Sequence, residues 1–524
     1  MTSDLTADVD LLHVTEPNGL LWSRTNFAEA MPGVLTPLSW SFWGPASEQT
    51  SRRVYVEKFG AFRRGELTGE LADRMTGLFY GRAAVNVDLL RRTLDRVPGT
   101  DPDALELQIL GSVRPDAVAN PTWRRVPAVL ARAPYNVVRL PSRVKRLRMD
   151  VDRWWRRSTS TDVASVSAAG ERIREAQRRF VDAATEHGFN VFVGQAAYDQ
   201  LAKLAAHVGQ PGLELGLAAA GDGTEETAIV DDLWDVVAGK RTLEQVIGDH
   251  GYHGPDEGQV SSWSWREDPA PLVALIERYK AIGRARPPST QATRRQAVDQ
   301  LLAACSPLQR VRARAVLRFA DRHLPLREVG KAAFLQCIDV ARHAAHDAGR
   351  LLVAQGRLRA IDDVSYLSID EIAADRFDAD AVERRRARRV ELLALDLPAS
   401  FVGIPDAWPL EEVADVHPTG SVSGVPASPG RHTGTARVVH DSSDYDRVED
   451  GDVLVCHLTD PGWAPLLAIV GAAVIDIGGP LSHGAIVARE LGIPCVIGTR
   501  DGTRRIADGA LVVVDGDAGT VDPV

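Results

Sequence analysis

From about Leu11 to about Leu397, apolar residues recur at three- and four-residue spacing, with Arg and Glu between them. Glu48–Met75, Ala169–His207 and Arg327–Gln355 are the longest such stretches, and the spacing predicts amphipathic helices there. Pro and Gly punctuate the pattern, as at Pro98-Gly99, Pro141 and Pro211-Gly212. From Pro398 onward the pattern dissolves. Pro, Gly, Ser and Asp accumulate, most densely over Pro405–Pro429, which reads as a linker. After Gly424 short apolar runs take over: Asp452–Cys456, Ala472–Asp476, Pro494–Ile497 and Leu511–Val514. Bounded by Gly, Asp or Pro, they predict strands of a compact mixed sheet, with helices over Pro461–Val470 and Gly484–Leu491. The expected architecture is multidomain: a large, mainly α-helical region over 11–404, a linker over 405–423 and a small α/β domain over 424–524.

Composition removes several function classes. The 524 residues carry a formal net charge of −10, with 44% hydrophobic and 25% charged residues. Such a chain does not advertise nucleic-acid or anionic-membrane binding. Met1–Asp10 is polar and acidic, and no uncharged apolar run of about 18 residues occurs, so neither a signal peptide nor a membrane span is expected. Cys305, Cys337, Cys456 and Cys495 are scattered without a CxxC pair. That argues against a disulfide framework and a structural zinc site, and makes a reducing cytoplasm the expected compartment. Only six of the 61 basic residues are Lys. A GC-rich genome explains this bias, but a Lys within a motif gains interest. Arg124–Arg157 holds ten Arg and Lys145, interleaved with Tyr135, Trp154 and Trp155 and preceded by Trp123. The acidic total favours an Arg-rich helix with its aromatics packed inward, or a docking face for an acidic partner protein, over nucleic acid.

The strongest chemical signal is Gly478-Gly479-Pro480-Leu481-Ser482-His483-Gly484-Ala485, running on to Arg489-Glu490. A strand ending at Asp476 enters a Gly-rich turn, and His483 follows at the mouth of a helix. Ser482 is placed to cap that helix. A helix N-terminus offers unpaired N–H groups and a positive dipole end. An imidazole held there can take a phosphoryl group on one nitrogen, with the helix end stabilising the anion. Small neighbours (Gly478, Gly479, Gly484) leave room for it. This segment closely resembles the phosphohistidine signature of the phosphoenolpyruvate-utilising enzyme family, in its swivelling domain. The resemblance continues through Leu491-Gly492-Ile493-Pro494, Leu458–Leu466 and Gly424–Gly430, and so spans 424–524. It implies that His483 is the phosphoryl carrier, with Gly478, Gly479, Ser482, Gly484 and Arg489 in support. Leu481 stands where many family members have Thr.

Several shorter motifs precede it. They are Trp22–Asn26 with Pro32–Ser41, Tyr80–Asn86, Gly251–Glu257 with Trp265–Pro269, and Leu326–Lys331 continuing to Gly356–Leu358 and Asp362–Leu367. Arg327 and Lys331 are four apart on one helix face, and Arg342 falls near that face three turns on. Such a cationic stripe suits a transferring phosphoryl group. Glu328 beside it can orient the clamp or act as base on an acceptor hydroxyl. An exposed basic helix face is the plainer reading. His253, Asp256 and Glu257 form a second candidate acceptor cluster together with Arg342. They are metal-ligand types, but their spacing is not that of a zinc motif, so a structural turn is expected and no metal site is assigned. Trp22, Trp40 and Trp43 suit an apolar acceptor pocket or core packing equally; Arg82 and Asn86 read as structural. The motifs resemble the acceptor-binding domain of rifampin (rifampicin) phosphotransferases and the larger subunit of phenylphosphate synthase. In those phosphotransferases the Arg-Glu-x-x-Lys segment lies near the acceptor site.

The resemblance implies a phosphoryl donor. In the rifampicin phosphotransferases an ATP-grasp domain loads the histidine with the β-phosphate of ATP. Because acceptor-type motifs begin at Trp22, no such domain is expected in this chain, nor the C-terminal barrel of enzymes that use phosphoenolpyruvate. A Walker-type phosphate loop is also missing from the sequence. The expected function is the acceptor-and-carrier subunit of a split phosphotransferase. A separate ATP-grasp partner would bring ATP and Mg2+, and a small-molecule hydroxyl would be the acceptor; no cofactor is assigned to this chain itself. The alternative is a non-catalytic regulatory or interaction protein derived from such an enzyme.

Overall fold

The computed structural model describes residues 11–13, 19–25, 30–31, 33–110, 113–114, 122–210, 212–218, 225–282, 291–409, 420–440, 442–459, 461–479 and 482–524. Leu481, most of the expected linker (410–419), and Asn26, Pro32 and Asp460 of the quoted motifs lie outside the described residues.

Eight helices organise the molecule: α1 Pro37–Arg52, α2 Val126–Ser158, α3 Val166–His207, α4 Glu225–Val237, α5 Leu243–His250, α6 Ala270–Ile282, α7 Leu326–Ala354 and α8 His483–Leu491. The long helices α3 and α7 pack along one another, close to their predicted bounds. α7 is rich in Ala and buried over most of its length, so its backbone can approach its neighbours closely. Glycine serves the same end on α3: a Cβ on Gly170 would lie 2.4 Å from the Ala373 backbone. Phe42, Trp43, Trp155, Phe180 and Tyr252 fill the core around this pair.

The structure departs from the sequence pattern at three places in this region. The helix expected over Glu48–Met75 is α1 followed by a π-helical turn, Arg53–Phe59, which stops at Gly60 with a left-handed φ of 76°. Pro141 does not punctuate: it lies with Pro134 inside the 33-residue α2, where packing against α7 and the π-helical turn keeps the chain helical. A small antiparallel sheet, unforeseen in the helical pattern, closes the region. Its strands are β1 Leu21–Ser23, β2 Thr76–Phe79, β3 Arg82–Asn86 and β5 Ser400–Val402, in the order β2-β3-β1-β5. Trp22 sits opposite Asn86 and Phe401 and is fully buried against Phe79. Trp43 is buried, and its indole N–H donates to the Gly258 carbonyl at 2.7 Å. These tryptophans are packing residues, not a pocket lining. Arg82 donates to the Leu392 carbonyl, and Asn86 caps the Val87–Leu94 helix, so both are structural. Along the Arg-rich α2, Trp154 and Trp155 turn inward while Trp123 and Tyr135 stay exposed.

A two-residue ladder, β4 Leu395–Asp396 with β6 Trp408–Pro409, precedes the second sheet. That sheet has eight strands: β7 Val422–Ser423, β8 Val425–Ser428, β9 Arg431–Val439, β10 Val453–Cys456, β11 Ala472–Ile475, β12 Cys495–Ile497, β13 Leu511–Asp515 and β14 Thr520–Pro523. The order is β7-β14-β13-β9-β10-β11-β12-β8, with β9 to β12 parallel and the rest antiparallel. The four apolar runs seen in the sequence are β10 to β13. β9 is the longest strand, yet its polar half hides it from a hydrophobicity reading. Where a helix was expected over Pro461–Val470 there is a 3-10 turn and one helical turn, Ala464–Leu467.

This domain packs on the helical region through one shared apolar core. Ile229, Val230, Leu233, Val246, Leu272, Ile276 and Tyr279 of α4 to α6 join Trp463, Leu466, Leu467, Val487 and Leu491. The Tyr279 hydroxyl donates to the Pro465 carbonyl at 2.7 Å, and Arg278 donates to the Tyr445 carbonyl at 2.6 Å. Among the described residues no helix is long and apolar enough to cross a membrane.

Candidate functional site

The parallel strands end together, and the segments that follow them gather at one edge of the sheet: His457 to Thr459 after β10, Asp476 to Gly479 after β11, Gly498 and Thr499 after β12. Open parallel sheets place their ligand crevices at this edge. Asp476 anchors the group. Its carboxylate accepts from the Thr499 hydroxyl at 2.7 Å, from the Thr503 hydroxyl and amide, and from Nδ1 of His457 at 3.5 Å. Burial pushes this carboxyl up, but the bonds from His457, Thr503 and Thr499 outweigh it and hold it below the usual range.

The chain then turns through Gly478 and Gly479. Gly478 has φ of 144°, and a Cβ there would lie 2.5 Å from Cδ1 of Ile497, so only glycine fits. His483 opens α8, whose last turn closes at Gly492 with a left-handed φ of 69°. Gly484, in the first turn, is equally tight: a Cβ would lie 2.6 Å from Cδ1 of Ile475 and 2.6 Å from Oγ1 of Thr459. Bare helix amides and small residues thus surround the start of α8, as an anion-accepting site requires.

Two supporting residues stand differently from expectation. Ser482 holds the N-cap position with extended backbone (φ −68°, ψ 162°), but its hydroxyl makes no capping bond. Its Oγ is buried without a hydrogen-bond partner, because the chain reaches it from the Gly478–Gly479 turn and points the side chain inward. Arg489 is not at the phosphate end. It lies six residues beyond His483, roughly 9 Å along the axis, and donates to the Ala427 carbonyl at 2.7 Å. Desolvation there lowers its guanidinium from the ordinary arginine value.

In the Arg-Glu-x-x-Lys motif the tertiary structure adds a partner. Nζ of Lys331 donates to Oε1 of Glu226 on α4 at 2.7 Å, and both side chains are buried. Burial alone would lower the Lys331 ammonium, but Glu226, Glu328 and Glu257 raise it above its ordinary value. Glu328 is pushed up to about 7 by burial and by the Glu226 carboxylate, against the pull of Lys331 and Arg327. Arg327 is a third exposed, with its guanidinium 4.0 Å from Glu328. Its carbonyl meets Nδ1 of His187, whose pKa burial and the Arg327 charge push down to about 3, leaving a neutral ring.

Arg342 does not extend this cationic stripe. It is fully buried and donates to the carbonyls of Gln259, Tyr252 and Glu257, so it braces the 252–259 loop from within the core. In that loop His253 and Glu257 are buried and bonded to each other at 2.6 Å, whereas Asp256 is exposed in a left-handed turn (φ 50°). The candidate acceptor cluster thus contracts to His253 and Glu257. Glu226 escaped the sequence reading because nothing in its local pattern marks it; its role comes from facing Lys331 across 105 positions. Asp476 and Thr499 carried a faint signal, as polar residues directly after apolar strands.

Comparison with known proteins finds similarity in both regions. Residues 448–519 match the PEP-utilising enzyme, mobile domain, and residues 188–328 match the rifampicin phosphotransferase fourth domain. An uncharacterised protein of Mycobacterium tuberculosis is 33% identical over 276 residues, covering 52% of this chain and 30% of that protein. A rifampicin phosphotransferase of Streptomyces sp. is 30% identical over 326 residues, covering 57% and 37%. The prodigiosin synthesizing transferase PigC of Serratia marcescens is 29% identical over 284 residues, covering 52% and 32%. The matches span between 30% and 37% of these relatives' own lengths. Most of the C-terminal α/β domain, residues 448–519, is thus similar to the PEP-utilising enzyme, mobile domain. Over 57% of its length the chain is similar to a rifampicin phosphotransferase, and its Arg327-Glu328 pair ends the segment matching the fourth domain.

Proposed function

We propose that this chain carries and delivers a phosphoryl group as the acceptor-and-carrier part of a phosphotransferase. The observation that supports it is the start of α8, opened by His483 at the C-terminal edge of a parallel sheet and walled by Gly478 and Gly484, in a chain whose α7 also carries the buried Glu328–Lys331 pair. At a separate ATP-grasp protein the α–β P–O bond of Mg2+-bound ATP breaks as a P–N bond forms on His483, AMP leaves, and water cleaves the β–γ bond to release phosphate, so that the β-phosphoryl group stays on the histidine. A hydroxyl of a small-molecule acceptor then attacks the phosphorus and the P–N bond breaks. Glu328 takes the hydroxyl proton, and Arg327 faces the developing charge on the phosphoryl oxygens. Lys331, held by Glu226, keeps Glu328 in place and offsets its charge once ionised. The swivelling movement is a release of the C-terminal domain from α4 to α6.

The test incubates the protein with an ATP-grasp donor, Mg2+ and β-labelled ATP. The expected result is acid-labile, alkali-stable label on wild type and none on His483→Ala, with the fold of the variant checked by circular dichroism. Equal labelling of the two proteins, or an acid-stable linkage, would overturn the carrier role.

A further inference from the structure

We propose that Glu225, His250 and His253 form a site for one divalent transition-metal ion of the zinc type, with water completing the ligand set. The inference goes beyond phosphoryl transfer and does not rest on it. One ligand atom from each of the three residues lies within 4.8 Å of the others. Nε2 of His253 is 4.0 Å from Oε1 of Glu225. Ligand atoms on a tetrahedral ion with bonds of about 2.1 Å stand roughly 3.4 Å apart. Closing the triad needs side-chain shifts well within rotamer freedom.

The two imidazoles are prepared in the same way. Nε2 of His250 is held by Asp232 at 2.9 Å, and Nδ1 of His253 by Glu257 at 2.6 Å. The remaining ring nitrogen of each is buried and has no hydrogen-bond partner. A carboxylate on one nitrogen and nothing on the other is the arrangement that orients a histidine towards a metal and raises its basicity. Two imidazole nitrogens with one carboxylate select zinc-like ions over Mg2+ or Ca2+, which prefer all-oxygen shells.

The local charge favours a cation. Glu225, Asp232 and Glu257 face Arg148, 3.6 Å from Glu225, and Arg241, paired with Asp232. One negative charge remains before the histidines are counted. An ion there would tie α4, α5 and the 251–257 loop together, directly beneath the face on which the mobile domain packs.

The full-length protein, stripped with a chelator and dialysed, is titrated with Zn2+ in competition with a weak chromophoric chelator, and with Co2+ for its visible spectrum. One ion per chain and a tetrahedral cobalt spectrum are expected. His250→Gln and Glu225→Gln should each weaken Zn2+ binding at least ~10-fold and abolish the cobalt bands. Asp162→Asn, in the other group able to hold an ion (Asp162, His343 and Asp347), should change neither. If His250→Gln does not fold, Glu225→Gln, on a more exposed side chain, decides alone. No stoichiometric uptake by folded wild type, or uptake that both ligand substitutions leave unchanged (an adventitious ion only), overturns the proposal.

Discussion

At the scale of single residues, the Arg-Glu-x-x-Lys motif shows how burial converts ordinary charges into tuned ones. In the sequence Glu328 is a candidate base with nothing local to tune it. Sunk beside Glu226, it binds its proton up to about pH 7. A base poised near the working pH is the most effective kind. The sign follows: Glu328 accepts a proton only when ionised, so acceptor phosphorylation should rise with pH through about 7. In Glu328→Gln that rising limb should vanish and kcat should fall by about 10²–10⁴, read from pH–rate profiles of single-turnover transfer. A profile unchanged in shape would remove Glu328 from the chemistry. The motif itself was legible, because i and i+4 spacing needs only a helix. Glu226 was not, because the pairing is made by two helices packing together.

At the scale of elements, α8 and its entry turn set the geometry around His483, the proposed carrier. Sequence spacing located this helix to within one residue, since a Gly-rich turn before a small-residue helix start is a local signal. The fit of its first turn is a tertiary property. Alanine at position 484 would gain up to about 1 kcal/mol of helix propensity over glycine. Its Cβ would nevertheless overlap Ile475 and Thr459 at 2.6 Å each. Overpacking of that kind costs about 1–3 kcal/mol, so the clash wins. Gly484→Ala is expected to be less stable than wild type in urea unfolding and slower to accept label on His483. Enhanced stability would show that the first turn is looser than its contacts imply. The same logic explains two misread elements. Pro141 stays helical because α2 has partners on its flanks, and β9 stays hidden because its exposed half carries Arg431, His432 and Thr433.

At the scale of the whole molecule, the C-terminal domain rests on α4 to α6 through a mostly apolar face with a few hydrogen bonds. An apolar contact is non-directional, so it permits release and return; the bond from Tyr279 to the Pro465 carbonyl fixes the register. Tyr279→Phe leaves that carbonyl without its donor, at a cost of about 1–3 kcal/mol. Amide exchange across 461–467 should quicken in this variant while the α3–α7 core stays protected. Uniform acceleration over the chain would mean that Tyr279 supports global folding and not docking.

The sequence by itself determined what is local: the helical periods of α3 and α7, four of the eight strands of the second sheet, and the Gly-rich turn into His483. Each depends on neighbours a few positions apart, where period and turn chemistry act. Only the tertiary structure decided which polar groups meet. It sent Arg342 into the core, turned Ser482 inward, tied Arg489 to the Ala427 carbonyl, joined Lys331 to Glu226 and brought His253 to 4.0 Å from Glu225. The physical reason is that burial and charge pairing depend on distance in space. Residues tens to a hundred positions apart acquire their chemistry only when helices pack and water leaves.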